Sequence, residues 1–454
     1  MPAGALEKKE PTSTHRDGGH CECAFCRDNL PFTLPDELVD ACIAKDLVIF
    51  AGAGVSTESR RVIPYTFYEQ ISGELPAKDA RGDFPDVMEA FCKRFGRAAL
   101  LRTIRDRFDY VRSFPELYGQ ATRFHDCLST MYPIVDLVTT NWDTAFEDRC
   151  GATAIVTPTD YAFWDEPARK IFKLHGSIAS WGSIVATRKD YDQVLEQLRT
   201  GVIGGSLRHL LATKRVLFAG YSFNDSDFQE LYGLLRDELG EILPESFVVT
   251  LDPGFSDSNT PDATIIRTDA THLLSTLKNE LVAKEVMLPD DMFSAAAAMR
   301  MRLRRAHLEL AALDVQEHPA VVYSLAYQDG LMHALDRAMA LRHTGEYSHI
   351  CNIFDAEATY QAKQKEKRRR RHYGDVAYIE GYLNGLRLLL VDEEDRDLVP
   401  LYFVFGFDGE IRSLQEFLEV LPYAEELHKT SYRTVCRQVK GYSSDIVFHH
   451  FPFL

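Results

Sequence analysis

What this sequence lacks narrows it first. No apolar run reaches the roughly 20 residues of a membrane-spanning helix. Residues 1–29 are polar with no signal-peptide core, so no membrane contact and a cytoplasmic location are expected. Cysteine is scarce: nine in 454 residues, an odd number, mostly scattered inside apolar segments. That favours free buried thiols over a disulfide framework. A basic excess is missing as well. The 51 Lys and Arg face 68 Asp and Glu, a net charge of −17, so the surface as a whole does not suit nucleic acid, and a local patch or a partner would have to supply that contact. No internal repeat is visible. What remains is ordinary globular composition, 45% hydrophobic and 26% charged, long enough for two or three domains and for a core that needs no metal or disulfide.

The stretch Leu47-Val48-Ile49-Phe50-Ala51-Gly52-Ala53-Gly54-Val55-Ser56 organises the chain. Its apolar half reads as a buried parallel strand. Gly52-Ala53-Gly54 then reads as a tight turn that lets a phosphate approach the backbone, with a following helix aiming its free N–H groups at it. Taken alone, the pattern serves equally for a plain turn.

Further strands are expected at residues 134–140, 154–156, 170–174, 215–219 and 246–251. Helices are expected at 34–45, through much of 85–132, and at 191–198 and 227–239. In the 85–132 insertion, Arg102, Arg105, Asp106 and Arg107 read as a solvated face. Alternating strands and helices predict an α/β fold with a doubly wound parallel sheet. Each strand is followed at once by Gly, Asn, Asp, His or Ser. In such a sheet the carboxyl ends of the strands line the ligand crevice, so Gly52, Gly54, Ser56, Asn141, Asp143, His175, Gly220, Ser222 and Asn224 are expected to converge on one pocket.

Three domains are expected: a flexible segment at 1–30, an α/β domain at 31–284, and a mainly helical α+β domain at 285–454 for assembly or regulation. The last includes apolar and aromatic runs at 399–407 and 446–453. The first holds Cys21, Cys23 and Cys26 beside His15 and His20. These can supply four zinc ligands, but the spacing lacks the usual partner pair, and an exposed tail is the preferred reading, with no metal assigned. The basic run at 363–372 reads as a solvated helix end ahead of a contact with nucleic acid or an acidic partner.

Four segments in order carry a resemblance: Gly52-Ala53-Gly54-Val55-Ser56, Thr140-Asn141-Trp142-Asp143, Lys173-Leu174-His175-Gly176-Ser177 and Gly220-Tyr221-Ser222-Phe223-Asn224-Asp225. Together they resemble the sirtuin superfamily over residues 40–280, and the Ser183-Ile184-Val185 segment with Asp190-Tyr191 looks like the variant of bacterial sirtuin-like proteins. The resemblance implies a Rossmann-like fold that binds NAD and breaks the bond between nicotinamide and ribose. It implies Asn141 as the residue orienting water and ribose, Asp143 as its support, and His175 as the base, an imidazole suited to proton transfer near neutral pH. It places Gly52, Ala53, Gly54, Ser56 and Thr140 against the cofactor, with Gly220, Ser222 and Asn224 toward the phosphate and adenine ribose. Each residue also has a plain reading: Asn141 as a turn, Asp143 as a helix cap, His175 as a core histidine.

The departures shape the expected chemistry. Protein deacylases of the superfamily carry paired zinc cysteines after the histidine; here the next cysteine after Cys150 is Cys351. Ile63-Pro64-Tyr65-Thr66-Phe67 lacks the Asp and Arg of the deacylase pattern. The result resembles the sirtuin-like NAD hydrolases of bacterial anti-phage systems, which deplete NAD and halt the infected cell. Those relatives imply a homo-oligomer or a partner, with a HerA-type ATPase preferred over a short Argonaute, through which nucleic acid would be reached. A deacylase and a non-catalytic NAD-binding scaffold are the alternatives.

Overall fold

The computed structural model describes residues 27–223, 226–255, 263–391, 396, 398–441 and 448–452. The Cys21, Cys23 and Cys26 cluster lies outside these residues, as do Asn224 and Asp225. Seven parallel strands form one sheet: β1 Leu47–Ala51, β2 Asp136–Thr139, β3 Thr153–Ile155, β4 Lys170–Lys173, β5 Arg215–Ala219, β6 Ser246–Thr250 and β7 Ala263–Arg267. They run in the order β3-β4-β2-β1-β5-β6-β7. β1 is central because both of its faces are apolar. Leu47, Ile49 and Ala51 enter a core shared with the helices Asp36–Ile43 and Ala270–Ala283, while Val48 and Phe50 enter the core under Arg188–Thr200 and Val202–Thr213. A strand covered on both faces has no reason to alternate, which is why it reads as a continuous apolar run.

The chain moves outward from β1 through β2 to β4 and β3, then crosses back to β5 on the other flank. This reversal beside β1 is the topological switch point, where an open α/β sheet leaves a crevice at its carboxyl edge. The strand β7 is not anticipated by the sequence pattern. It is a short edge strand with only Ile266 fully buried, paired with β6 through Val248 and Ile265, so it has little apolar periodicity to read.

From residue 285 the described chain is helical. A separate core joins Asp291–Ala311, Val321–Ala340, Tyr373–Leu388 and Lys429–Val439. The run at 399–407 forms no strand beyond the isolated pairing of Tyr402 with Ile411. Side chains of the Val321–Ala340 helix satisfy its backbone instead. The Tyr327 hydroxyl donates to the Pro400 carbonyl (2.8 Å), the Gln328 amide to the Leu401 carbonyl (2.9 Å), and the Phe403 N–H donates to the Ser324 hydroxyl (3.1 Å). Of the 446–453 run, residues 446, 447 and 453 lie outside the described residues, and 448–452 form no strand. The basic run at 363–372 ends the exposed helix Ile350–Arg369, where cations suit the helix dipole.

The helical half meets the sheet at the amino ends of the strands. Gly345 packs against Thr130, Tyr132 and Arg169, and His349 stacks on Tyr132 with ring centres 4.6 Å apart. The crevice is at the other end. Among the described residues no helix is long and apolar enough to cross a membrane, and the six described cysteines are free.

Candidate active site

The crevice opens into a cavity of about 910 Å³, within the usual small-molecule range. Ala53, Gly54, Ser56, Thr140, Asn141, Asp143, His175, Gly220 and Ser222 all line it, so residues separated by up to 169 positions converge as the strand ends required. Gly52 is not among the lining residues; its carbonyl accepts from the Asn141 amide.

The two glycine turns lock together. The Gly52 N–H donates to the Ala219 carbonyl (2.9 Å) and the Gly54 N–H to the Gly220 carbonyl (3.0 Å). A Cβ on Gly52 would sit 2.4 Å from the Gly220 oxygen, and one on Gly54 would sit 2.9 Å from it. Gly220 has φ +60°, and its Cβ would lie 2.6 Å from the Val55 nitrogen. The glycines thus serve loop contact first and offer bare backbone to the cavity second. The helix expected directly after the turn is absent. A single 3₁₀ turn, Ala53–Val55, stands there, and the next helix begins at Phe67. A short turn closes because Val55 and Ser56 N–H groups bond back to Gly52 and Ala53, so no helix N-terminus is aimed from this position.

A relay of side chains fixes Asn141. The Thr139 hydroxyl donates to the Ala51 carbonyl (2.8 Å) and accepts the Asn141 N–H (3.0 Å), tying the ends of β1 and β2. The Asn141 amide nitrogen donates to the Gly52 carbonyl (3.2 Å) and, more weakly, to Ser56 Oγ (3.4 Å). That hydroxyl donates to Asp143 Oδ2 (2.9 Å), and Asp143 Oδ1 accepts the Ala145 N–H (2.9 Å). Asp143 is not the N-cap residue, since Thr144 holds that position, but its side chain accepts the first N–H of Ala145–Cys150 and also supports the polar relay. The outcome for Asn141 is specific. Both amide donations point into protein, so Oδ1 is left buried with no hydrogen-bond partner, an acceptor whose capacity is unmet.

His175 stands two residues past the end of β4, is 6% exposed, and packs its ring 4.9 Å from that of Tyr191. Below it, Lys173 is fully buried. Its ammonium donates to the Asp143 carbonyl and pairs with Glu147 at 2.9 Å. Burial pushes the Glu147 carboxyl up, against the opposing pull of Lys173.

The chain between β1 and β2 supplies the far wall, which the sequence reading missed: Phe67, Tyr68, Phe84, Ile104 and Phe108. Arg107 is the clearest correction. Expected on a solvated face, it is 6% exposed. It pairs with Glu58 (2.9 Å) and donates to Gln70 (3.1 Å) and the Tyr65 carbonyl (2.8 Å). The signal was present: Arg107 falls on the stripe of Ile104, Phe108 and Val111. This pair occupies the region where the Asp and Arg of the deacylase pattern are missing. Across Gly54, Gly220, Tyr221 and Ser222 a second cavity of about 450 Å³ continues the crevice, lined by Arg61, Arg123, Thr250, Asp252 and Thr271 among others.

Fold and site define an α/β small-molecule domain whose elongated crevice crosses the strand switch point, with a carboxamide, a hydroxyl and an imidazole gathered at one end. Residues 135–271 match the family described as the SIR2-like domain. Among curated proteins it is similar to "NAD(+) hydrolase ThsA" of Cytobacillus dafuensis, 26% identical over 213 residues, covering 45% of this chain and 41% of that protein. It is also similar to "Defense-associated sirtuin 2" of Bacillus subtilis, 21% identical over 239 residues, covering 49% of this chain and 22% of that protein. The alignments thus span less than half the length of either relative.

Proposed function

We propose that this chain is an NAD hydrolase acting as the effector of an anti-phage system, converting NAD⁺ and water to ADP-ribose, nicotinamide and a proton. The observation that carries the reading is the buried, unpartnered Asn141 Oδ1, held by a relay that fixes its direction, in a cavity shared with His175. The name of the Cytobacillus relative supports the substrate, and that of the Bacillus relative supports the setting. The joined cavities suit a dinucleotide: the nicotinamide ribose beside Asn141 and His175, the diphosphate across the bare glycines Gly54 and Gly220, and the adenosine toward Thr250 and Asp252.

Loss of neutral nicotinamide leaves oxocarbenium character on the ribose carbon. Asn141 Oδ1 accepts a hydrogen bond from the attacking water or a ribose hydroxyl and holds it in line. His175 takes the proton that the water sheds. Asp143 and Ser56 are positioning residues that keep the carboxamide oriented. The apolar wall of Phe67, Phe84 and Trp142 takes the departing ring. Control falls to the helical half, through self-association or a partner such as a HerA-type ATPase or a short Argonaute. Because that half packs at the opposite edge of the sheet, its influence on the crevice passes through the strands.

The test is NAD consumption by the full chain, alone and with candidate partners, followed by release of nicotinamide and ADP-ribose. Asn141→Ala and His175→Ala should each lower turnover by at least about 100-fold, the scale of a lost positioning or general-base contribution. Undiminished turnover in both variants would refute the assignment.

A further inference from the structure

A second cluster lies in the helical half, far in sequence from the crevice. His307 on the helix Asp291–Ala311, Asp329 on Val321–Ala340 and His449 in the C-terminal tail each present one ligand-type atom, and these lie within 4.8 Å of one another. His307 and Asp329 are buried, at 7% and 3% exposure. The imidazoles of His307 and His449 stack nearly parallel, 5.2 Å apart at 11°. Asp329 Oδ2 accepts the His450 N–H at 2.7 Å, and Oδ1 lies 3.4 Å from His449 Nδ1.

The hydrogen bonds around His307 fix its tautomer. Gln328, fully buried, donates its amide to the Leu401 carbonyl (2.9 Å), so its Oε1 must face His307 Nδ1 (3.1 Å). An amide oxygen only accepts, so Nδ1 carries the proton and Nε2 carries the lone pair. Nε2 is buried and without a hydrogen-bond partner. A neutral imidazole whose other nitrogen is oriented by a carbonyl is the usual state of a metal-ligating histidine.

We propose that His307, Asp329 and His449 form a binding site for a divalent first-row transition ion of the zinc type, which clips the C-terminal tail onto the two helices. Two imidazoles and one carboxylate suit zinc or cobalt and disfavour calcium and magnesium. Ligand atoms around a tetrahedral ion stand about 3.4 Å apart, so the cluster closes by rotation of His449, whose side chain is 57% exposed and gives the ion its entry path. Gln328 is a positioning residue here, and the fourth coordination position is left to water.

The test must separate this site from Cys21, Cys23 and Cys26, so all three are replaced by Ser in the full-length chain. After dialysis against micromolar zinc and then metal-free buffer, this background should retain about one zinc per chain. Cobalt should give a visible absorption of nitrogen–oxygen type with no near-ultraviolet thiolate band. His449→Ala alters an exposed tail residue that the core does not need. It should lower the metal content at least about 10-fold with the circular dichroism unchanged, and Asp329→Asn should do the same. Chelation should lower the melting temperature of the background and leave that of His449→Ala unmoved. Retention of no zinc by the background, or equal retention by His449→Ala, overturns the proposal.

Discussion

Replacing Gly52 by alanine tests the interlocked turns directly. Gly52 has φ −94° and ψ 178°, a conformation alanine adopts freely, so the backbone itself resists nothing and the whole effect is steric. The added Cβ would stand 2.4 Å from the Gly220 oxygen, 2.7 Å from Tyr221 Cα and 2.9 Å from Gly220 C. All three are backbone atoms that no rotamer change can move. Comfortable contact needs roughly 3.5 Å, so the two turns must part by about 1 Å. β1 and β5 are paired along their whole length, from Leu47 with Arg215 to Ala51 with Ala219, and the Gly54–Gly220 hydrogen bond sits at the point of separation. Overpacking of this kind costs about 1–3 kcal/mol, read as a lower urea midpoint at constant m. Gly52 also supplies the carbonyl that holds Asn141, and a displacement of this size costs about 100-fold in turnover. Gly182→Ala is the control, since its Cβ would meet nothing within 4 Å. If Gly52→Ala matches Gly182→Ala in both midpoint and NAD turnover, the interlock does not exist.

The remaining predictions concern buried charge. His125 is fully buried against the rings of Phe124 and Phe146 with neither ring nitrogen hydrogen-bonded, and burial pulls its pKa down to about 4 from 6.5. The folded state therefore resists protonation while the unfolded state accepts it. Stability is unaffected above pH 6.5 and falls as the pH drops from there toward 4, by on the order of 3 kcal/mol at most. His125→Leu should remove that slope between the two pH values in urea titrations, and an unchanged slope would refute the assignment. Lys173→Met strands the Glu147 carboxylate and should destabilise by about 3 kcal/mol, with Glu147→Gln in the same chain restoring part of it. No loss in the single variant would show that the pair is not buried in solution. Arg107→Met leaves Glu58 without its charged partner, only the Phe67 N–H remaining, and should weaken NAD binding together with stability, whereas Arg102→Met on the same helix should change neither; equal effects would return Arg107 to the surface.

The sequence determined the sheet and the site's address. Continuous apolar runs announce strands buried on both faces, and the small polar residues after them mark the crevice edge, so the convergence of Gly54, Asn141, His175 and Gly220 was legible before any coordinates. β7 was not, because an edge strand buries too little to leave a pattern. The 399–407 run misled for the opposite reason: aromatic and aliphatic enough for a strand, it is held by Tyr327, Gln328 and Ser324 from a helix some 70 residues earlier in the chain, a contact that local composition does not encode. What only the tertiary structure decided is direction and partnership. It left the Asn141 oxygen buried without a partner by occupying its nitrogen, buried Arg107 by bringing Glu58 to it, and set the proton of His307 through Gln328. Residue type supplies the chemical group; the hydrogen-bond partners that orient it come from elsewhere in the chain, and only folding brings them together.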